Sequence, residues 1–102
     1  MKISDIDSKF EVLSTKKFDK QLRQIVKQGK DIEKIISVVE KLANGMQLEY
    51  KYKDHQLINN KRFKECRECH IEPDWLLVYK CNNDKLILIL AETGSHSELF
   101  NK

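Results

Sequence analysis

The sequence predicts an α+β fold in which an N-terminal strand and a helical hairpin pack on a small curved antiparallel sheet. With 102 residues, 40% of them hydrophobic, the chain can fill one core, so we expect a single domain over residues 1–102. The first half opens with a short apolar run at residues 10–13 and continues with apolar residues at helical spacing. The second half has short apolar runs separated by turn-forming residues, which is typical of antiparallel strands. This order predicts helices layered on a sheet.

Capping residues delimit the two predicted helices. Ser14 or Thr15 can cap the first helix, and Gly29 ends it. Asp31 can cap the second, and Asn44-Gly45 ends it in the way left-handed C-caps do. A short turn between two such helices predicts an antiparallel hairpin. The predicted buried stripes are Phe18, Leu22, Ile25 and Val26 on the first helix, and Ile32, Ile35, Ile36, Val39 and Leu42 on the second.

Three strands are predicted in the second half. Residues 75–79 and 86–90 are apolar runs separated by the turn-forming cluster 81–84, and together they predict a hairpin. Pro73 separates this hairpin from an earlier strand at about 63–71. The segment 46–60 has weak periodicity and is predicted to be a loop.

Charge and hydropathy limit the possible environments. Lys and Arg number 19 and Asp and Glu 16, so the net charge of +3 is compatible with an RNA or acidic partner but proves neither. The first seven residues interleave acids with apolar residues, unlike a secretory signal, and no apolar stretch reaches the length of a membrane span. We therefore expect a cytoplasmic protein that makes no contact with a membrane.

The cysteines raise two metal hypotheses. Cys66, Cys69 and His70 fit the C-x-x-C-H pattern of haem attachment, and Cys81 could be added to form a zinc set. However, side chains three apart on a strand point to opposite faces, so Cys66 and Cys69 could not grip one metal or haem edge there. We interpret the three cysteines as small reduced residues and expect neither metal nor cofactor.

The three histidines, His55, His70 and His96, all lie in the second half of the chain. Histidine is the side chain best suited to give or take a proton near neutral pH, so the set suggests acid/base chemistry. A lone histidine at a strand end is more often structural, and chance clustering is the alternative.

The second half resembles the YafQ branch of the RelE-like toxins of bacterial type II toxin–antitoxin systems. The resemblance rests on the motifs at 52–55 (YKDH), 67–80 (RECHIEPDWLLVYK) and 93–100 (TGSHSELF), in this order and spacing. It implies a small α+β ribonuclease that cuts mRNA in the decoding site of the 70S ribosome and is neutralised by a cognate acidic antitoxin in a hetero-oligomeric complex.

The resemblance also assigns roles to residues. It implies a catalytic set of His55, His70, Asp74 and His96, with Trp75 as an adjacent aromatic and Phe100 as a terminal one. The two aromatic rings would stack on bases, as in single-strand recognition. For Trp75 the alternative is a place in the core, and Asp74 could merely cap a strand.

Glu92 departs from the family pattern, which usually has an arginine four residues before the last histidine, placed to bind the scissile phosphate. A carboxylate there would repel the phosphate. Either another cation replaces the arginine, or the protein cleaves weakly or only binds. The candidates for this cation are Lys53, Arg62, Arg67 and Lys80. Of these, Lys53 and Arg67 are the predicted substrate-binding residues.

Metal-free RNA cleavage requires a base that takes the proton of a 2′-hydroxyl and an acid that protonates the leaving 5′-oxygen. We expect His70, paired with Asp74, to be the base and His96 to be the acid, with His55 as an auxiliary. The leading hypothesis is thus a ribosome-dependent, metal-independent endoribonuclease toxin. The alternative is a toxin-like module that binds antitoxin or RNA without cleaving.

Overall fold

The structure, a computed structural model, describes residues 8–100 and confirms the predicted α+β class. Residues 1–7, which bear on the expected lack of a secretory signal, lie outside the described residues. No helix within residues 8–100 is long and apolar enough to cross a membrane. The elements in chain order are β1 (Glu11–Ser14), α1 (Lys16–Lys27), α2 (Ile32–Ala43), a 3₁₀ turn (Tyr50–Tyr52), β2 (His55–Gln56), β3 (Arg67–Glu72), β4 (Trp75–Asn82), β5 (Ile87–Gly94) and α3 (His96–Phe100).

The five strands form one mixed sheet in the order β1-β5-β4-β3-β2. Strand β1 pairs parallel to β5, whereas the other neighbours are antiparallel. The predicted antiparallel sheet is therefore present in β2 to β5, and the N-terminal strand, whose partner was not predicted, adds a parallel edge. A parallel pair needs a long crossover, and the helical hairpin that follows β1 begins this connection. The predicted loop 46–60 also contributes the two-residue strand β2, and residues 63–66 form a turn rather than the start of β3.

The helix ends follow the predicted signals. The Thr15 side chain accepts a hydrogen bond from the Phe18 backbone N–H, and Asp31 accepts one from Glu33. Gly45 has a φ of +72°, and backbone N–H groups after α2 return to the last carbonyls of the helix, so this end is a Schellman motif. One stripe residue was assigned wrongly: Val26, in the last turn of α1, is 41% exposed.

Hydrophobic clusters cover both faces of the sheet. The larger one lies between the sheet and the two long helices, and includes Leu77, Tyr79 and Leu88. We call this side of the sheet the helix face. The opposite side, the loop face, is covered by residues 57–66 and α3. Its cluster consists of Phe63, Cys66, Leu76, Val78 and Leu99, with Leu57, Ala91 and Phe100 packed against it.

Candidate active site

The strand register places several polar side chains on the loop face. Paired residues on neighbouring strands share a face, and Glu68 pairs with both His55 on β2 and Val78 on β4. Val78 in turn pairs with Glu92 on β5. A row of four side chains therefore crosses the sheet on this face. His70 belongs to the next row, in which it pairs with Leu76.

Glu68 is the carboxylate that the two strand-borne histidines share. It is 5% exposed, and its Oε1 lies 3.4 Å from Nε2 of His70 and 3.7 Å from Nε2 of His55. The sequence motifs predicted Asp74, and not Glu68, as the partner of His70. The signal was present, because residues i and i+2 of a strand share a face, and Glu68 is two residues before His70.

Both of these histidines are oriented by backbone carbonyls. Nδ1 of His70 lies 3.1 Å from the Pro73 carbonyl oxygen, and Nδ1 of His55 lies 2.7 Å from that of Lys53. Because a carbonyl oxygen only accepts, each Nδ1 carries the proton in these bonds. Nε2 is then the atom that gains or loses a proton in each ring, and both Nε2 atoms face Glu68.

Asp74 makes no hydrogen bond or ion pair with His70 in this arrangement, so the predicted pair was wrong. Its Oδ1 accepts a hydrogen bond from the backbone N–H of His96 at 3.0 Å. Ser95 and Glu98 add a capping box: Ser95 Oγ accepts from the Glu98 N–H at 3.2 Å, and Glu98 Oε1 accepts from the Ser95 N–H at 2.8 Å. These bonds fix the start of α3, and with it the backbone of His96.

His96 is exposed and its ring packs against Phe100, with ring centroids 5.1 Å apart. Phe100 is half-buried and meets the buried ring of Phe63 edge-on at 5.6 Å. Phe100 therefore keeps part of its surface open for contact with a base. Its predicted stacking role stays a prediction.

Trp75 lies in the core between the sheet and the helices. It is 2% exposed, and its Nε1–H donates to Thr93 Oγ1 at 2.9 Å. A ring held in this way cannot stack on a base, so the predicted substrate contact was wrong and the alternative of a core residue holds. The reason is that Trp75 opens a strand whose first five residues are all buried.

Arg67 lies on the helix face, because it pairs with Tyr79. Its Nε donates to Asp54 Oδ1 at 3.3 Å, and the Tyr79 hydroxyl donates to the same oxygen. Burial and Asp54 together raise the pKa of Tyr79 well above its ordinary value, so the hydroxyl stays protonated. Arg67 thus holds Asp54, the residue before His55, and lies on the face of the sheet opposite Glu68. Its side chain is 39% exposed, and its role in substrate binding stays a prediction.

Lys53, the other predicted substrate-binding cation, is exposed and has a left-handed φ of +49°. It borders a cleft of about 700 Å³ between the start of α2, the 3₁₀ turn and β3, and His70 borders the same cleft. Lys53 therefore lies beside the histidines, and its contact with substrate stays a prediction.

Glu92 lies on the loop face and is 7% exposed. Both of its carboxylate oxygens accept hydrogen bonds from Nη2 of Arg62 at 2.7 Å, and Gln21 Nε2 donates to Oε1 at 3.0 Å. Lys17 Nζ lies 3.6 Å from Oε1. The carboxylate is therefore neutralised within the protein.

The cysteines do not converge. Cys66 belongs to the cluster of the loop face and Cys69 to that of the helix face, and the structure has all three thiols free. Burial raises the pKa of Cys69 strongly and those of Cys66 and Cys81 less, so the thiols stay protonated. Within residues 8–100 no three His, Cys, Asp or Glu side chains are grouped so as to hold a metal ion.

Solved structures show which class of protein has this fold. A metal-bound toxin from Helicobacter pylori is 46% identical, with a TM-score of 0.81, over 87% of this chain and 97% of its own. YafQ in the DinJ–YafQ complex of Escherichia coli is 33% identical, with a TM-score of 0.80, over 89% of this chain and 98% of its own. The fold is thus that of a group of small bacterial toxins.

Sequence comparisons identify the family. Residues 10–101 match the family described as the bacterial toxin of type II toxin–antitoxin systems, YafQ. The mRNA interferase toxin YafQ of Escherichia coli strain B/BL21-DE3 is 39% identical over 84 residues, which cover 81% of this chain and 87% of the relative. This chain belongs to the YafQ family of bacterial toxins, as the sequence motifs predicted.

Proposed function

We propose that this protein cleaves mRNA on the ribosome by metal-independent transfer of protons between histidines. The observation that carries this proposal is the placement of two imidazole Nε2 atoms against the buried carboxylate of Glu68, on the sheet face that α3 and His96 border. The relatives named mRNA interferase toxins support the choice of substrate.

In the proposed reaction, Nε2 of His70 accepts the proton of the 2′-hydroxyl, and the freed oxygen attacks the adjacent phosphorus. Glu68 stabilises the imidazolium that forms, because its Oε1 lies 3.4 Å from that nitrogen. His96 donates a proton to the departing 5′-oxygen. The P–O5′ bond breaks, and the products are a 2′,3′-cyclic phosphate and a free 5′-hydroxyl.

His55 is the auxiliary histidine in this scheme. Its Nε2 faces the same oxygen of Glu68 but at the longer distance of 3.7 Å, and its side chain is half exposed. It can therefore supply or hold a second proton beside the base. Phe100 offers a ring to a base next to His96, and Lys53 offers a charge beside His55.

The proposed partner is a cognate acidic antitoxin, which would bind the basic toxin and keep RNA from its active site. Two observations support it: the chain carries a net charge of +3, and the E. coli relative was solved in complex with DinJ. The proposed site of action is the cytoplasm, where the ribosomes are.

The alternative function, binding without cleavage, is favoured by one observation. Glu92 places a negative charge on the loop face, where the family resemblance implies an arginine. If no other cation reached the phosphate, RNA or antitoxin would be bound but the phosphodiester would stay intact.

Inducible expression in bacteria, with transcript ends mapped by primer extension, tests these functions. We expect growth arrest and mRNA cleavage with the natural sequence, and neither with His70→Gln or His96→Gln. Lys85→Gln, an exposed change in the β4–β5 turn at the other end of the sheet, is the control and should behave like the natural sequence. Normal growth with intact antitoxin binding would instead favour the module that does not cleave.

A further inference from the structure

We propose that Arg62 is the cation that holds the scissile phosphate in this protein, and that Glu92 is the anchor that positions it. The inference rests on the proposed RNA cleavage and names the residue that binds the reacting group. Arg62 comes from the segment between β2 and β3, whereas Glu92 comes from the middle of the sheet.

The contact between the Arg62 and Glu92 side chains consists of several short hydrogen bonds. Nη2 of Arg62 donates to both carboxylate oxygens of Glu92 at 2.7 Å, and Nη1 donates to the backbone carbonyl of Leu99 at 2.6 Å. Arg62 is thereby tied to the sheet and to α3 at once. A planar guanidinium held by three hydrogen bonds at two of its nitrogens has little freedom left.

The guanidinium keeps capacity for a ligand. Arginine has five N–H donors, and the hydrogen bonds to Glu92 and Leu99 involve only Nη1 and Nη2, so the Nε–H and one Nη1–H remain. The Arg62 side chain is 42% exposed, whereas that of Glu92 is only 10% exposed. The cation is therefore presented outward, and the carboxylate is covered beneath it.

The local charge also favours an anion. Lys17 adds a second positive charge 3.6 Å from Glu92, so one carboxylate faces two cations. Gln21 occupies Oε1 as well. A phosphate that approaches Arg62 meets a net positive group rather than a bare carboxylate, which removes the repulsion expected from Glu92 alone.

Arg62 belongs to the same side-chain cluster as His96, the proposed acid. Its Cζ lies 4.7 Å from the ring centroid of Phe63. Phe63 meets Phe100, which packs against His96. The leaving 5′-oxygen is bonded to the phosphorus of the scissile phosphate. A cation that binds this phosphate must therefore lie on the same side of the site as His96.

The other candidate cations fit less well. Arg67 is held by Asp54 on the opposite face of the sheet. Lys53 lies next to His55, on the far side of Glu68 from Glu92, and two inter-strand steps of about 4.8 Å separate Glu68 from Glu92. Lys80 lies 3.9 Å from Glu65 and pairs with Ile89, which is three residues before Glu92 on β5.

Two double variants test the proposal. One removes the positive charge of Arg62 and the other replaces it elsewhere, and neither leaves the buried carboxylate of Glu92 unpaired. Arg62→Met/Glu92→Gln removes both charges, and Arg62→Met/Glu92→Arg places a cation on the strand instead. Lys64→Ala, an exposed change in the same segment, is the control for the loss of one positive charge. Circular dichroism melting curves establish that each variant is folded before activity is compared.

Single-turnover cleavage of ribosome-bound mRNA is the first readout. We expect Arg62→Met/Glu92→Gln to cleave about 100-fold more slowly than the natural sequence. Arg62→Met/Glu92→Arg should recover to within tenfold, and Lys64→Ala should be unchanged. Natural cleavage rates in the doubly uncharged variant would overturn the proposal, as would a failure of the restored cation to raise the rate.

Binding of the free protein to a single-stranded RNA with 2′-deoxy positions, which cannot be cleaved, is the second readout. The slope of log affinity against log salt should fall by about 0.7 in Arg62→Met/Glu92→Gln, because one phosphate contact is lost. An unchanged slope would overturn the role of Arg62. If the slope differs by this amount between the two proteins but the natural sequence cuts no mRNA, the proposed function fails while the phosphate contact stands.

Discussion

Among single residues, Glu68 matters most for the proposed chemistry. The two histidines of the sheet offer their Nε2 atoms to one carboxylate, and their Nδ1 atoms are held by backbone carbonyls. The ring orientations are therefore determined by the backbone just before β2 and by the β3–β4 turn, and Glu68 provides the negative charge that both rings face.

Glu68→Gln should lower the rate of mRNA cleavage by about 100-fold, within the range for loss of acid/base assistance. The amide keeps the size of the side chain but cannot stabilise an imidazolium on His70. Glu65→Gln, an exposed change in the preceding turn, is the matched control. Cleavage at the natural rate by folded Glu68→Gln would contradict the role of the shared carboxylate.

Trp75 allows a direct test of the corrected assignment, because it is the only tryptophan of the chain. Its fluorescence should resist quenching by iodide in the folded protein and should not change when RNA binds. Trp75→Phe should lower the free energy of unfolding by about 1 to 3 kcal/mol, since Thr93 loses a buried partner. Strong quenching by bound RNA would show that the ring contacts bases after all.

The sequence predicts residues well where the local pattern decides the outcome. The helix caps Thr15 and Asp31 follow from side-chain chemistry at one position. The partner of His70 also follows from local spacing, because Glu68 lies two residues before it on β3. The partner of Glu92 does not, because it depends on which loop meets the end of β5. The charge-neutralising contact of Arg62 comes from 30 residues away, and no spacing rule predicts it.

At the scale of elements, α3 carries His96 and is held by the β3–β4 turn through Asp74. With five residues it has too few internal hydrogen bonds to be stable alone, so its caps determine where the histidine lies. Asp74 thus holds the backbone of His96 and not the ring of His70, which was its predicted partner.

Asp74→Asn should keep most of the cleavage activity, because an amide oxygen can still accept the His96 N–H. Asp74→Ala should lose about tenfold or more, since the start of α3 loses a cap. Comparison of the two variants distinguishes a role of Asp74 in positioning His96 from a role of its negative charge. Equal losses in single-turnover cleavage by the two folded variants would mean that the carboxylate itself takes part in the chemistry.

The start of α2 is tied to β3 by Glu72, which binds Lys30 and Lys34 at 2.8 and 2.7 Å. The hydrogen bonds of the two lysines lower the pKa of Glu72, and Glu72 raises the pKa of Lys34. A lowered glutamate pKa stabilises the fold above the ordinary value of about 4.3, and the contribution is lost as the pH falls through the folded-state value.

We therefore expect Glu72→Gln to be less stable than the natural sequence at pH 7, and the difference to be smaller near pH 3. Urea unfolding at the two pH values measures this difference. Because the groups are exposed, the difference should be small. A stability gap of the same size at both pH values would indicate that packing, and not the ion pairs, is responsible.

For the whole molecule, the fold class was predictable but the sheet order was not. Two short apolar runs separated by a turn predicted β4 and β5, yet the parallel pairing of β1 with β5 depends on where the helical hairpin returns the chain. This pairing has a consequence for the site. Because β1 pairs with β5 only as far as Leu90, the last residues of β5 contact α1 instead. Gln21 of α1 hydrogen-bonds both the Glu92 side chain and the Thr93 backbone.

We propose that the loop face cleaves RNA through attack by the 2′-hydroxyl. The most direct measurement is cleavage of ribosome-bound mRNA that carries one 2′-deoxynucleotide immediately 5′ of a mapped cut, with the all-ribose message as control. We predict that the all-ribose message yields a 2′,3′-cyclic phosphate and that the substituted message stays intact at that position. Cleavage of the substituted message at the same rate would rule out attack by the 2′-hydroxyl.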